Sequence, residues 1–229
     1  MSASPGESTG SKGSLSALLR PRSIAFMGAS ERPNVPASRG LRHCQRLGFK
    51  GGLYPINPKY EDLFGVTCYR SLNALPEVPE LVMIGLSAEM TLEAVVQCRD
   101  AGVRAIVVCS AGWEEQGPEG QARARELETL LRGHSMRLLG PNCLGAGNAA
   151  LGLSLGFNSS FESLRHENPG RLALITQSGA MMGGLLLNAE DAGAGASIYA
   201  HVGNAMDIGM EEMLEFLADD PDIDVIALM

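Results

Sequence analysis

The stretch best suited to chemistry is Gly170 to Ala189, GRLALITQSGAMMGGLLLNA. It reads as a strand over Leu172–Thr176, a tight turn at Gln177-Ser178-Gly179 and a helix carrying Met181, Met182, Leu185, Leu186 and Leu187. A strand that enters a helix through small residues leaves the first N–H groups of that helix without backbone partners. Those donors and the positive end of the helix dipole make a site for phosphate or another anion. The charges agree, because the first turn has no carboxylate to fill the site and Glu190 and Asp191 fall at the far end. Gly183 and Gly184 each cost roughly 1 kcal/mol against Ala in a helix interior, which predicts close approach of another backbone or a ligand. An ordinary buried turn of an α/β domain would show the same residues, and the stretch by itself leaves both readings open.

A second place of this kind lies near the start. Ser23–Met27, SIAFM, is a compact apolar strand ending at Gly28-Ala29-Ser30, where a dinucleotide-type fold puts its first phosphate turn. The full GxGxxG is missing, so the motif alone is weak. The next strand, Leu53–Asn57, ends in Asn57-Pro58-Lys59. Enzymes that bind NAD place an acid there for the ribose hydroxyls. A lysine suits a phosphorylated ribose instead, as in coenzyme A or NADP, and a solvated surface lysine is the plain alternative.

These turns need elements to hold them. After the first strand comes a helix over about Ala37–Leu47, and after the second an irregular connection over Asp62–Tyr69 with a short helix at Leu72–Leu75. Strands follow at Leu81–Leu86, Val103–Cys109 and Met136–Leu139, with helices at Met90–Ala101 and Pro118–Arg132. Regular alternation predicts a Rossmann-like, doubly wound parallel sheet of α/β class. Residues 146–168 are rich in Gly, Ser and Asn, with one credible extended piece near Leu151–Phe157. A second alternation adds a strand at Ala196–His201, a helix at Gly209–Ala218 and a strand at Val225–Met229. The expected division is a flexible tail over 1–14, one domain over 15–148 and an incomplete second α/β domain over 149–229.

Composition narrows the function. A formal net charge of −8 over 229 residues argues against nucleic acid as a partner, since a phosphate backbone needs a basic face. No run approaches the roughly 18 apolar residues of a membrane span. Five scattered cysteines without a CxxC pair fit reduced thiols in a cytoplasmic protein, and the four histidines show no metal-ligand spacing with them.

Taken in order, several segments resemble one family. They are Gly28-Ala29-Ser30, Gly48-Phe49-Lys50-Gly51 with Tyr54-Pro55-Ile56-Asn57-Pro58-Lys59, Ser110-Ala111-Gly112-Trp113, Gly140-Pro141-Asn142-Cys143-Leu144-Gly145, Gln177-Ser178-Gly179-Ala180, and Gly203-Asn204 with Asp207. The chain is similar to the N-terminal part of the NDP-forming acyl-CoA synthetases, relatives of the succinyl-CoA synthetase alpha subunit. The resemblance implies a CoA-binding Rossmann-like domain followed by the start of a flavodoxin-like ligase domain. In such enzymes an acid, CoA and a nucleoside triphosphate give acyl-CoA, nucleoside diphosphate and phosphate through an acyl phosphate and a phosphohistidine.

Carried over by position, the resemblance puts Gly28, Ala29 and Ser30 against CoA phosphates and Asn57, Pro58 and Lys59 near its adenosine end. Ser87 and Ser110, Ala111 and Gly112 border the pantetheine path, and Asn142 and Cys143 sit where the thiol meets the acyl group. The catalytic positions implied are Asn142, Ser178 and Gly179, with Thr176 beside the phosphate. Cys143 has no local base or cation to activate it, so it reads as a pocket residue rather than a nucleophile. Ala37-Ser38 stands where relatives often have Gly, which narrows the phosphate approach, and Ser87 stands for a common Pro.

The implied ligands are coenzyme A, phosphate, and a carboxylic acid or its acyl phosphate. ATP or ADP would enter only through an ATP-grasp domain or subunit not in this sequence, within an oligomer. The phosphohistidine segment would lie past Met229, and none of His43, His134, His166 and His201 matches it; His201 reads as a satisfied core or strand-end residue. The alternative is a non-catalytic CoA or acyl-CoA sensor, such as the regulatory part of an acyltransferase fusion. A nicotinamide-dependent dehydrogenase is a third reading, set back by the missing GxGxxG and ribose acid.

Overall fold

The computed structural model describes residues 12–229. Most of the expected tail therefore lies outside the described residues, while Lys12–Ser14 open the first helix, α1 (Lys12–Leu19). The chain continues with β1 (Ser23–Met27), α2 (Pro36–Arg46), β2 (Gly52–Ile56), β3 (Asp62–Leu63), β4 (Val66–Thr67) and β5 (Leu81–Ile84). Then come α3 (Ala88–Asp100), β6 (Ala105–Val108), α4 (Pro118–Leu131) and β7 (Arg137–Leu139). The second half holds β8 (Gly145–Asn148), β9 (Leu153–Ser154), α5 (Ser160–Ser163), β10 (Leu172–Thr176), α6 (Gly179–Asp191), β11 (Ala196–His201), α7 (Met210–Ala218) and β12 (Val225–Leu228).

The first sheet has five strands in the order β2-β1-β5-β6-β7. All its pairs are parallel, as the alternation of apolar strands and helices requires. Strands β1, β5, β6 and β7 are buried throughout, which is why they read as nearly continuous apolar runs. The order reverses between β1 and β5, and the turns that follow these strands open at one carboxyl edge. Crevices at such switch points are where open α/β sheets take ligands.

The second sheet runs β12-β10-β11-β8-β9. Its first three strands are parallel, whereas β8 pairs antiparallel with both β11 and β9. Two expectations change here. Residues 146–168 are less irregular than expected, because Gly145–Asn148 is a strand, and this strand belongs to the second sheet although it precedes residue 149. Its sequence, GAGN, has no β-propensity, but a side chain on Gly147 would strike the Tyr199 ring at 2.1 Å. Glycine lets Tyr199 lie across the strand, where its hydroxyl donates to Ser154 Oγ at 2.8 Å. The connection Asp62–Tyr69, expected to be irregular, contains the small β3–β4 hairpin.

The halves share one core. Leu15, Leu18 and Leu19 of α1, Ile24 and Phe26 of β1, and Ile175, Ile198 and Ala200 of the second sheet belong to a single buried apolar cluster. Polar contacts close the seam. Arg137, at the start of β7, is buried and donates to Asp207 at 2.9 Å and 3.1 Å and to Glu212 of α7 at 2.6 Å and 2.5 Å. The Glu212 bonds, together with Asp207, hold the guanidinium pKa above its usual range despite burial. Arg20, just past α1, reaches the buried carboxylate of Asp220 at 2.7 Å. On the other flank His43 lies 2.8 Å from the Gly156 carbonyl, and burial pushes its pKa down to about 4.

Candidate active-site cleft between the halves

Each residue expected near CoA follows the carboxyl end of a strand in the first sheet. Gly28 leaves β1 at φ +84°, and a side chain there would meet Leu86 at 2.7 Å. Ala29 and Ser30 are buried. The Ser30 N–H donates to Ser38 Oγ at 2.8 Å, and that hydroxyl donates back to the Ser30 carbonyl at 2.7 Å. Ser38 thus satisfies both backbone polar groups of Ser30 from within the chain. Asn57 Nδ2 donates to the Ala29 carbonyl at 2.8 Å and Asn57 Oδ1 accepts the Lys59 N–H at 3.0 Å, while Pro58 and Lys59 are exposed. Asn57 thus braces the β1 turn from the end of β2, a job that its place in the sequence did not reveal.

Ser87 is exposed at the start of α3. Ser110 and Ala111 lead out of β6 toward the buried Trp113, whose Nε1 donates to the Ser110 carbonyl at 2.7 Å. Glu115 Oε1 accepts the N–H groups of Gly112 at 2.6 Å and Trp113 at 3.2 Å, so this turn is held from inside. The same Ser110 carbonyl accepts the N–H of Asn142 at 3.0 Å. Asn142 is exposed and left-handed, at φ +56°, directly after the cis Gly140-Pro141 bond. Its Nδ2 donates to Asn204 Oδ1 at 3.3 Å, and Asn204 Nδ2 donates to Glu114 Oε2 at 2.9 Å.

The β10–α6 turn faces this loop. Ser178 is the N-cap of α6, but its side chain makes no capping bond and the first turn holds no acid. Its own N–H donates to Thr176 Oγ1 at 2.8 Å. The next N–H groups therefore meet no side-chain cap, and the helix dipole adds to their pull on an anion. The close approach inferred from the paired glycines holds at Gly183, where a side chain would strike Ser160 of α5 at 2.5 Å, and not at Gly184, which faces open space.

Asn142, Cys143 and Leu144 from the first side, and Gln177, Gly179 and Ala180 from the second, line one cleft of about 420 Å³, with Cys109, Phe157, His201, Gly203 and Asn204. The loops that follow β7 and β10 thus open toward the same space. Gly203 makes the meeting possible, since at φ +61° its missing side chain would strike the Pro141 carbonyl oxygen at 2.3 Å. Cys143 is buried with Sγ 3.3 Å from the Val108 carbonyl oxygen, consistent with a wall residue. The hydrogen bond that the Cys109 thiol makes to Cys143, with burial, holds its pKa well above the ordinary thiol range. Gly28–Ser30, Lys59 and Ser87 are not part of this cleft and stand further along the same sheet edge.

The cleft also exposes what the sequence hid. His201 sits in its wall and Asn204 joins Asn142 to Glu114, while Asp207 clamps Arg137 outside it. The Gly203-Asn204 and Asp207 positions were legible as pieces of a motif. Their partners lie far along the chain, and no local pattern marks them.

Comparison with known proteins agrees with this architecture. Residues 22–149 match the family described as CoA binding domain, and residues 169–229 match the succinyl-CoA ligase like flavodoxin domain. The chain is 33% identical to the ADP-forming acetate–CoA ligase I of Archaeoglobus fulgidus over 92% of its own length and 30% of that enzyme. It is 31% identical to subunit alpha of the ADP-forming acetate–CoA ligase II of Pyrococcus furiosus, over 92% of this chain and 45% of that subunit. Its fold superposes with a TM-score of 0.85 and 33% identity on the acetyl-coenzyme A synthetase 1 of Ca. Korarchaeum cryptofilum, solved with phosphate and ADP, covering 93% of this chain and 45% of that one. This chain thus spans about a third to a half of the relatives it matches. It belongs to the NDP-forming acyl-CoA synthetase family.

Proposed function

We infer that the chain forms the CoA-binding and phosphate-site portion of an acyl-CoA synthetase, in which CoA and an acyl phosphate exchange groups. The observation that supports this most is the shared cleft, with Asn142 and Cys143 on one wall and Gly179 at the start of α6 on the other. CoA lies along the carboxyl edge of the first sheet, past Gly28, Ala29 and Ser30. Its adenosine end is near Asn57, Pro58 and Lys59, and its pantetheine passes Ser87 and Ser110–Gly112. Its thiol then reaches Asn142 and Cys143. The N–H groups at the start of α6, with Ser178, hold the phosphate, and the buried Thr176 hydroxyl fixes the Ser178 backbone behind them.

In the reaction the CoA sulfur bonds to the acyl carbon, the carbon–oxygen bond to phosphate breaks, and the thiol proton leaves with the phosphate. Position and charge stabilisation carry such a step, and the open helix start supplies both for the departing anion. Asn142 is placed to donate to the acyl oxygen as charge develops there. Making the acyl phosphate from the acid and a nucleoside triphosphate needs a histidine and an ATP-grasp domain from elsewhere in the enzyme, in the same chain or in a partner subunit. The larger size of the relatives supports that division. The CoA-facing unit is assigned to residues 15–148, of which β8 (Gly145–Asn148) pairs into the second sheet, and the phosphate-facing unit to 149–229, within the cytoplasm.

Calorimetry with CoA tests the proposal. Saturable binding, with competition from desulfo-CoA, is expected from the folded chain. A folded sample that takes up no CoA contradicts the reading. The sensor alternative predicts CoA binding without any phosphate site at α6.

A further inference from the structure

None of the roles assigned above uses His201, yet its ring touches both walls of the cleft. Nδ1 accepts the Leu144 N–H at 2.8 Å, and Leu144 follows Cys143 directly. Nε2 lies 3.1 Å from the carbonyl oxygen of Gln177, the residue before Ser178. A carbonyl only accepts, so Nε2 bears the proton and Nδ1 is the free acceptor. The ring carbon between the nitrogens would lie 3.3 Å from a side chain placed on Gly179. The ring is buried at the end of β11, opposite Thr176 of β10. Burial lowers its pKa, opposed by the Gln177 carbonyl, so the neutral form is favoured.

We propose that His201 is a positioning residue that sets the distance between the thiol end of the cleft, at Asn142–Leu144, and its anion end, at Gln177–Ala180. The proposal rests on the reading of the cleft given above. An imidazole holds an acceptor and a donor at a fixed separation and in divergent directions. One ring thus fixes an amide of the first wall against a carbonyl of the second. An aliphatic side chain of similar bulk fills the space but holds neither group. The Cys109 and Cys143 thiols share the cleft, and the Glu114 carboxylate is held by Asn204.

Two measurements on residues 1–229 test this. Imidazole NMR of the isotope-labelled chain reads the tautomer. A ring protonated at Nε2, with nitrogen-to-nitrogen coupling from Leu144 N–H to Nδ1, is expected; a ring protonated at Nδ1 overturns the proposal. CoA affinity is then compared for wild type, His201→Asn, His201→Gln and His201→Leu. Asn keeps an acceptor near the Nδ1 position and Gln a donor near the Nε2 position. Leu should weaken CoA by roughly tenfold, the effect of about one net hydrogen bond, with Asn and Gln between Leu and wild type. A Leu variant equal to wild type overturns the proposal, as do Asn and Gln variants no better than Leu. If the Leu variant does not fold, the tautomer and the Asn and Gln variants against wild type decide. Absence of CoA binding by wild type defeats the functional reading instead, and the tautomer still decides the strut.

Discussion

The two strand–turn–helix junctions proposed above to face phosphate groups, β1–α2 and β10–α6, are built in opposite ways. At the first, β1 leads into the Gly28–Val35 loop, where Ser38 Oγ takes the Ser30 N–H and returns a bond to its carbonyl. The helix that follows opens with Pro36, which has no N–H to offer. At the second, β10 enters α6 across Gln177 and Ser178 alone, with no side-chain cap and no acid in the first turn. The first junction satisfies itself, while the second leaves its donors for something else. Two turns that look alike in sequence thus divide the work: on the proposed reading the first borders a long ligand, and the second holds a compact anion.

The largest test of that contrast is Gly179→Asp. A carboxylate about 4 Å from a bound phosphate repels it by roughly 4 kcal/mol at a near-surface dielectric, so phosphate binding should fall by about a thousandfold. Phosphate affinity unchanged in isothermal titration would place the anion elsewhere. Arg137→Met comes next, because it leaves the Asp207 and Glu212 carboxylates unpaired at the seam that brings the two junctions face to face. Urea unfolding should show a loss of about 3 kcal/mol. A loss under about 1 kcal/mol would mean that the apolar core alone docks the halves. Lys59→Glu sharpens the first junction, where an exposed charge has only a modest effect. CoA should weaken by about fivefold and dephospho-CoA by less than twofold. Equal losses would show that Lys59 does not read the ribose phosphate.

Much of this arrangement was legible in the chain itself. Strands β1, β10 and β11 begin and end where their apolar runs do, and the turns that end them are marked by small residues. The bare first turn of α6 could be read because capping and dipole effects are local in sequence. What was hidden depends on distant partners. GAGN becomes a strand because Tyr199 lies across Gly147, more than fifty residues away. Arg137 looks like any surface-strand charge until Asp207 and Glu212 close on it. Asn57 read as a ligand contact, yet its amide spends one bond on the Ala29 carbonyl. His201 read as a strand-end histidine, and only the meeting of Leu144 with Gln177 gives it a cleft to span.

On the proposed reading, a thiol delivered along the first sheet meets an anion cradle at the start of α6. Amide NMR on the chain, titrated first with phosphate and then with CoA, tests this most directly. Phosphate should move the Gly179 and Ala180 signals and leave Ser30 in place, and CoA should then move Asn142 and Cys143 and shift Gly179 again. Phosphate shifts confined to Gly28–Ser30, or CoA shifts that never reach Asn142, would contradict it.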